Sequence, residues 1–120
     1  MGRHRPNLLT WQWRGYAATH RNPINLIVHL IAVPLFILAS LMLLSALFQL
    51  RVLPLILGVI GLLAALALQE HGHRLEAKAQ APFSDTTDAV QRLLLEQFFT
   101  FPRFVLNGGW WRAWKTRQRR

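Results

Sequence analysis

Between Thr19 and His29 the chain reads THRNPINLIVH, with two histidines and two asparagines at the threshold of a long apolar run. Imidazole nitrogens can hold zinc, iron, copper or nickel, and they can move protons near neutral pH. A second polar group, QEHGHRLE over Gln69–Glu76, follows the next apolar run and carries His71 and His73. Asn25 and His29 are four residues apart, as are Tyr16 and His20, and Gln69 and His73; Glu76 stands three after His73. On a helix each such pair shares a face. An amide or carboxylate beside an imidazole can orient the ring and fix which nitrogen carries the proton. His71 and His73 point opposite ways on a continuous helix, so both reach one ion only if Gly72 loosens the turn. The plainer use of a histidine here is to satisfy a helix end. Against that, ionisable groups in apolar membrane segments usually mark function, and His29 lies inside the run. From pattern alone, a shared metal site and a set of satisfied polar caps both remain open.

The elements that must position these residues are two apolar runs. Ile24–Leu50 is long enough to cross a bilayer, which takes about 20 residues. Asn22 is a good helix N-cap, Pro23 a good first helical residue, and Pro34 is expected to kink the helix. Val52–Leu68 carries no polar side chain, whereas a soluble helix of that length keeps one polar face. At about 1.5 Å per residue it spans about 26 Å, near the short limit for a crossing. Arg51 and Pro54 mark the turn between the runs. The predicted fold is all-α: an integral membrane helical bundle built on an antiparallel transmembrane hairpin near 23–49 and 52–70, with additional short interfacial or membrane-embedded helices. Such a hairpin brings the start of its first helix and the end of its second to one depth, so the two polar groups become neighbours.

The 120 residues suit one domain: a basic, aromatic segment at 1–22, the hairpin at 23–70, a polar histidine-bearing segment at 71–91, apolar helices at 92–109 and a basic tail at 110–120. Apolar residues make up 52% of the chain, yet the formal charge is +9, which suits membrane helices with basic flanks better than a soluble core. The absence of cysteine excludes disulfides, thiolate metal sites and cysteine nucleophiles. No cleavable signal is expected, because Met1–Arg21 lacks an apolar centre. Arg3, Arg5, Arg14 and Arg21 precede the hairpin. Arg74, Lys78, Arg92, Arg103 and the terminal cluster follow it, and only Arg51 lies in the turn. The positive-inside rule then predicts both termini in the cytoplasm, as in a bacterial inner membrane, with Arg51 outside. The third apolar stretch, AVQRLLLEQFFTFPRFVLNGGWW, carries Arg92, Glu96, Gln97 and Arg103 and is expected to break at Pro102. It could lie in the interface or form two short embedded helices. Trp110, Trp111 and Trp114 suit a headgroup belt; RAWKTRQRR suits anionic lipid, and no nucleic-acid partner is expected.

Tyr16–Pro34, YAATHRNPINLIVHLIAVP, resembles the opening signature of the Mpo-type 2-hydroxy fatty acid dioxygenases: tyrosine, histidine, asparagine, histidine, then proline one turn on. Gln69, Gly72-His73, Glu76 and Pro82 look like the second half of that signature, and FPRFVLNGGW looks like its Pro-x-Phe-Val segment before a glycine. The resemblance covers nearly the whole chain after residue 13; the first motif is fairly specific, the second looser. Glu76 falls one residue closer to His73 than in the family, His71 matches no family position, and Asn107 stands near where a glutamate is expected. The resemblance implies a membrane enzyme that needs iron(II) and dioxygen and removes one carbon from long-chain 2-hydroxy fatty acids, such as those released from phytosphingosine. It implies iron held by His20, His29 and His73, with His71 as a fourth ligand. Tyr16, Asn25, Gln69 and Glu76 would support them, and Arg21 or Arg74 would neutralise the substrate carboxylate. A zinc-dependent lipid hydrolase on the same site, haem ligation and a non-enzymatic membrane module are the alternatives.

Overall fold

The structure is a computed structural model and describes residues 7–116. Arg3, Arg5 and the basic residues at 117–120, which enter the orientation argument, lie outside the described residues. The described residues are helices and turns, with no strand among them. Helix α1 (Leu8–Tyr16) is capped by the Asn7 side chain, which accepts from Thr10 N at 3.0 Å. A short 3-10 turn, Ala17–Thr19, leads to α2 (Pro23–Gln49). Asn22 caps α2 by accepting from Ile24 N and Asn25 N, and Pro23 occupies a first-turn position where no amide hydrogen is needed. Helix α2 continues through Pro34 and ends at Leu50, whose left-handed backbone (φ 54°) is unusual for a leucine. The Arg51 amide bonds Ala46 O at 3.0 Å, closing the helix end and letting α3 (Val52–Arg74) start at once.

Helices α2 and α3 are both long and apolar enough to cross a membrane, with mean hydropathy of 2.6 and 2.4 over their most apolar windows. They approach closely because small residues face each other. A Cβ on Gly58 would sit 3.2 Å from Ala39 O and from Leu43 Cα, and one on Gly61 would sit 3.0 Å from Ala39 Cβ. Further along, Gly72 lies against Asn25. The paired positions run in reverse order along the two helices, which carries His20 and His29 to the end where His73 stands. Helix α3 does not stop near 70. It runs on through His71, Gly72 and His73 to Arg74, because nothing in QEHGHR breaks a helix even though the polarity changes.

Glu76, one turn beyond His73, reaches back to the start of α2. Its carboxylate accepts from Arg21 N at 2.9 Å, Asn22 N at 3.0 Å and Asn25 Nδ2 at 2.7 Å. An anion at these amides also meets the positive end of the α2 dipole. Glu76 therefore clamps the two helix ends and reaches the histidines indirectly, through Arg21 N beside His20 and through Asn25. Glu76→Ala is expected to lower stability by about 1–3 kcal/mol, since several donors lose their acceptor. Thermal unfolding in detergent measures this, and a change within error would show that water replaces the clamp.

Helix α4 (Thr86–Leu95), capped by Asp85, passes through a widened π turn at Glu96–Thr100 into α5 (Phe101–Leu106). The expected break at Pro102 is not there. The Phe101 amide bonds Glu96 O, five residues back, and this wider turn admits the proline ring in the first turn of α5. The chain reverses instead at Asn107–Gly108, where Gly108 is left-handed (φ 85°) and Asn107 Oδ1 accepts from Gly109 N. Asn107 is thus a turn residue. Helix α6 (Gly109–Lys115) docks on α2 through Trp110 Nε1, which donates to Leu26 O at 2.9 Å. Tyr16, Leu26, Val33, Phe101 and Phe104 form one buried apolar cluster; Ala32, Phe36 and Ala65 form another.

Candidate metal centre

His20 follows the turn after α1, and its ring stacks on Tyr16 with centroids 3.7 Å apart. Its Nδ1 lies 2.8 Å from Tyr16 O and 3.0 Å from Thr19 Oγ1. A backbone carbonyl only accepts, so Nδ1 carries the hydrogen and Nε2 is the ring nitrogen left to face the cluster. His29, one helical turn from Asn25 on α2, repeats this arrangement with Nδ1 3.2 Å from Asn25 O. Both rings are essentially sealed from solvent, at 2% and 0% exposure. His73, on the facing side of α3, is half-buried, with its ring centroid 5.1 Å from that of His20 and 4.7 Å from that of His29.

The fourth member is Glu96, the first residue of the π turn. Its Oε2 accepts from Tyr16 Oη at 2.8 Å and lies 3.5 Å from His20 Nε2 and 3.2 Å from His29 Nε2. Those nitrogens are close to the carboxylate but not aligned as hydrogen bonds, so both are buried with no hydrogen-bond partner. Burial favours the neutral acid of Glu96, but its contacts with the His20 and His29 rings outweigh this and hold the carboxyl well below the usual range. Burial, with the Glu96 charge beside it, raises the Tyr16 hydroxyl well above its ordinary value, so Tyr16 stays a neutral donor.

This arrangement fits a metal ion. One donor atom from each of His20, His29, His73 and Glu96 lies within 4.8 Å of every other. Donors about 2.0–2.2 Å from one ion sit at most about 4.4 Å apart, so a small contraction would complete the shell. Two nitrogens with hydrogen-bonded far sides and unpartnered near sides are what imidazole ligands look like without their ion. Three nitrogens and one oxygen suit zinc or iron, and do not by themselves choose between them.

The other predicted residues divide. Gln69 and Gln97 exchange two hydrogen bonds, at 2.9 and 2.8 Å, and tie α3 to the π turn. Asn25 holds His29 through its carbonyl and Glu76 through its Nδ2, while its Oδ1 is buried against Gly72 without a hydrogen-bond partner. His71 does not join. It is exposed on the outer face of α3, because Gly72 stays helical and keeps His71 and His73 on opposite sides. Arg74 is exposed and pairs with Glu70 at 3.2 Å, away from the site. Arg21 is also exposed; it borders a cavity on the far face of Tyr16, with Phe104 and Arg112. His71→Ala is expected to change metal content by less than about twofold, as an exposed side chain outside the shell should. Metal analysis after dialysis measures it, and loss of half the metal or more would restore His71 to the site.

Glu96 escaped the sequence reading, though a signal was present. Asp88, Arg92, Glu96 and Thr100 recur every four residues, and all four are buried. Arg92 bonds Asp88, Ala81 O and Pro82 O, while Thr100 Oγ1 bonds Gln12 Oε1. A stripe of charged and polar residues turned inward points at a site. Two cavities meet at Glu96: one of about 340 Å³ beside Tyr16, His20, Arg14 and Lys78, and one of about 320 Å³ beside His73, Leu66 and Leu93.

No curated protein and no solved structure matches the chain. Residues 8–114 match the family described as 2-hydroxy-palmitic acid dioxygenase Mpo1-like, nearly the whole chain and every residue of the cluster, and the protein belongs to that family.

Proposed function

We propose that the protein is an iron(II)-dependent dioxygenase that shortens long-chain 2-hydroxy fatty acids by one carbon at the membrane, with His20, His29, His73 and Glu96 holding the ion. The observation that carries this is the buried pair of unpartnered imidazole nitrogens beside the Glu96 carboxylate and His73, at one end of two apolar helices. The family description names the substrate class. Iron(II) held by these four residues would supply a redox centre for dioxygen and a Lewis acid for the 2-hydroxy acid.

The chain's own part is positioning and exclusion. Tyr16 O and Asn25 O hold the His20 and His29 rings in the tautomer that leaves Nε2 free to bind. Tyr16 Oη holds Glu96 Oε2. Phe101 and Phe104 flank the His29 and His20 rings, with centroids 5.8 and 6.4 Å away, and keep water off that side. The clamp from Glu76 and the Gln69–Gln97 pair fix α2, α3 and the π turn to one another, so the four donors keep their spacing.

In this proposal α2 and α3 insert as an antiparallel hairpin with the cluster at the cytoplasmic interface, and the chain is a single membrane domain. Only 33% and 17% of the residues in their most apolar windows are buried, leaving faces rich in Leu and Ile for lipid. A cysteine placed at Arg51 should react with an impermeant maleimide from outside intact cells, and one at Lys78 should not. The reverse pattern would overturn the orientation; reaction at both would overturn the hairpin.

The activity is tested with purified protein reloaded with iron(II). It should consume dioxygen and convert 2-hydroxyhexadecanoic acid to an acid one carbon shorter, while the zinc-loaded protein should not. Lipid hydrolysis by the zinc form with no oxygen uptake by the iron form would reject the dioxygenase in favour of a hydrolase.

A further inference from the structure

We propose that the groove between α3 and α4 holds the alkyl tail of the substrate and sets which chain lengths are accepted; this rests on the dioxygenase function proposed above. The groove is lined by His73 and Glu96 at the cluster and by Leu66, Phe83, Val90 and Leu93 beyond it, with Gln69, Glu70, Gln80 and Arg92 also on its wall. Leu66 precedes His73 by seven residues on α3. At about 1.5 Å per residue, the groove therefore extends about 10 Å along that helix from the histidine end. The direction is into the apolar part of α3, away from its polar terminus. Leu66 and Leu93 also pack on the buried Ala32, Phe36 and Ala65, so the inner wall is fixed. Phe83 and Val90 are about half exposed (49% and 48%), so the outer side is open.

The cavity across the cluster is the more polar of the two, with Gln12, Arg14, Thr19 and Lys78 around it beside Trp11 and Tyr16. Glu96 and Gln80 border both. An amphiphile bound at the cluster fits this polarity in one sense: ionised carboxylate toward Arg14 and Lys78, methylenes toward Leu66 and Leu93. Arg14 and Lys78 then take the charge-neutralising place expected of Arg21 or Arg74. A fatty acid in the cytoplasmic leaflet already lies head to the interface and tail inward. Through the open outer side it can move into the groove without turning over.

The test uses 2-hydroxyhexadecanoic acid bearing a diazirine near the middle of its tail, with full-length protein in lipid nanodiscs. The protein carries zinc, so binding is read without turnover. Irradiation and peptide mapping should place adducts on Leu66, Phe83, Val90 or Leu93. Adducts confined to Trp11, Gln12 and Lys78, or to the outward face of α2, would overturn the proposal. Leu93→Trp fills the groove from its fixed wall and Val90→Trp from its exposed rim, where misfolding is not a concern. Either should reduce those adducts by at least about tenfold, the discrimination a filled apolar pocket achieves. In the iron form each should raise KM for 2-hydroxyhexadecanoic acid while leaving 2-hydroxybutanoic acid, whose two-carbon tail stays beside the cluster, unaffected. Equal loss on both acids would overturn the groove as the chain-length gauge. If the iron form oxidises no 2-hydroxy acid, the dioxygenase function fails by itself, and the adduct positions still decide the groove.

Discussion

Glu96→Ala is expected to lower metal affinity by more than about 100-fold and to abolish oxygen uptake, because loss of a direct ligand should exceed the 10–100-fold typical of a supporting residue. Glu96 supplies the only carboxylate oxygen in the cluster, within 3.5 Å of both His20 Nε2 and His29 Nε2. The substitution has a second consequence that must be separated from the first. It leaves the buried Tyr16 hydroxyl without its acceptor, a cost of about 1–3 kcal/mol. Glu96→Gln separates them, since its amide oxygen still accepts from Tyr16 while the charge that holds a cation is gone. Metal content by mass spectrometry should collapse in both variants, whereas thermal stability should fall in the alanine variant alone. Tyr16→Phe supplies the complement: the ring stacked on His20 stays, one hydrogen bond goes, and metal retention should drop by about 10–100-fold. If Glu96→Gln retains metal as wild type does, the carboxylate is no ligand and the site reduces to three histidines.

How much of this could be read from the residues depends on which physical signal each one gives. The two long helices are legible because an uninterrupted apolar run of that length has few other uses, and Asn22-Pro23 marks its start unambiguously. The gathering of His20, His29 and His73 follows from those helices and one short turn. The end of α3 is not legible from polarity, since a change to polar residues does not end a helix and Gln69–Arg74 contains no proline. The π turn is also hidden. Nothing in LEQFFTFP announces an extra residue per turn, yet that residue lets Pro102 stay inside a continuing helix while Glu96, Gln97 and Thr100 all face inward. The proline alone suggests a break there, and the family resemblance leads to a glutamate being expected near Asn107 rather than at Glu96. His71 misleads for the opposite reason. It is adjacent to the right residues in sequence, and helical geometry turns it outward.

Gly72→Ala is expected to destabilise the protein by about 1–3 kcal/mol, although alanine is the better helix former by about 1 kcal/mol. Its new methyl would occupy the space of Asn25 Oδ1 and lie 3.1 Å from Asn25 Cγ, while Asn25 Cα at 3.4 Å is in ordinary contact, so the obstruction is the side-chain amide. Asn25 cannot easily rotate away. Its Nδ2 is held by Glu76 at 2.7 Å, its residue is fully buried, and its carbonyl orients His29. The helices must therefore separate where His29 and His73 face each other, so metal affinity should fall together with stability. The double variant Gly72→Ala/Asn25→Ala tests the cause. Removing the asparagine amide clears the methyl's space, so the double should be more stable than the sum of the two single losses predicts, by at least about 0.5 kcal/mol. Strict additivity in chemical denaturation would mean that the two side chains do not collide, and that close packing at Gly72 is not what holds the histidine-bearing ends of α2 and α3 together.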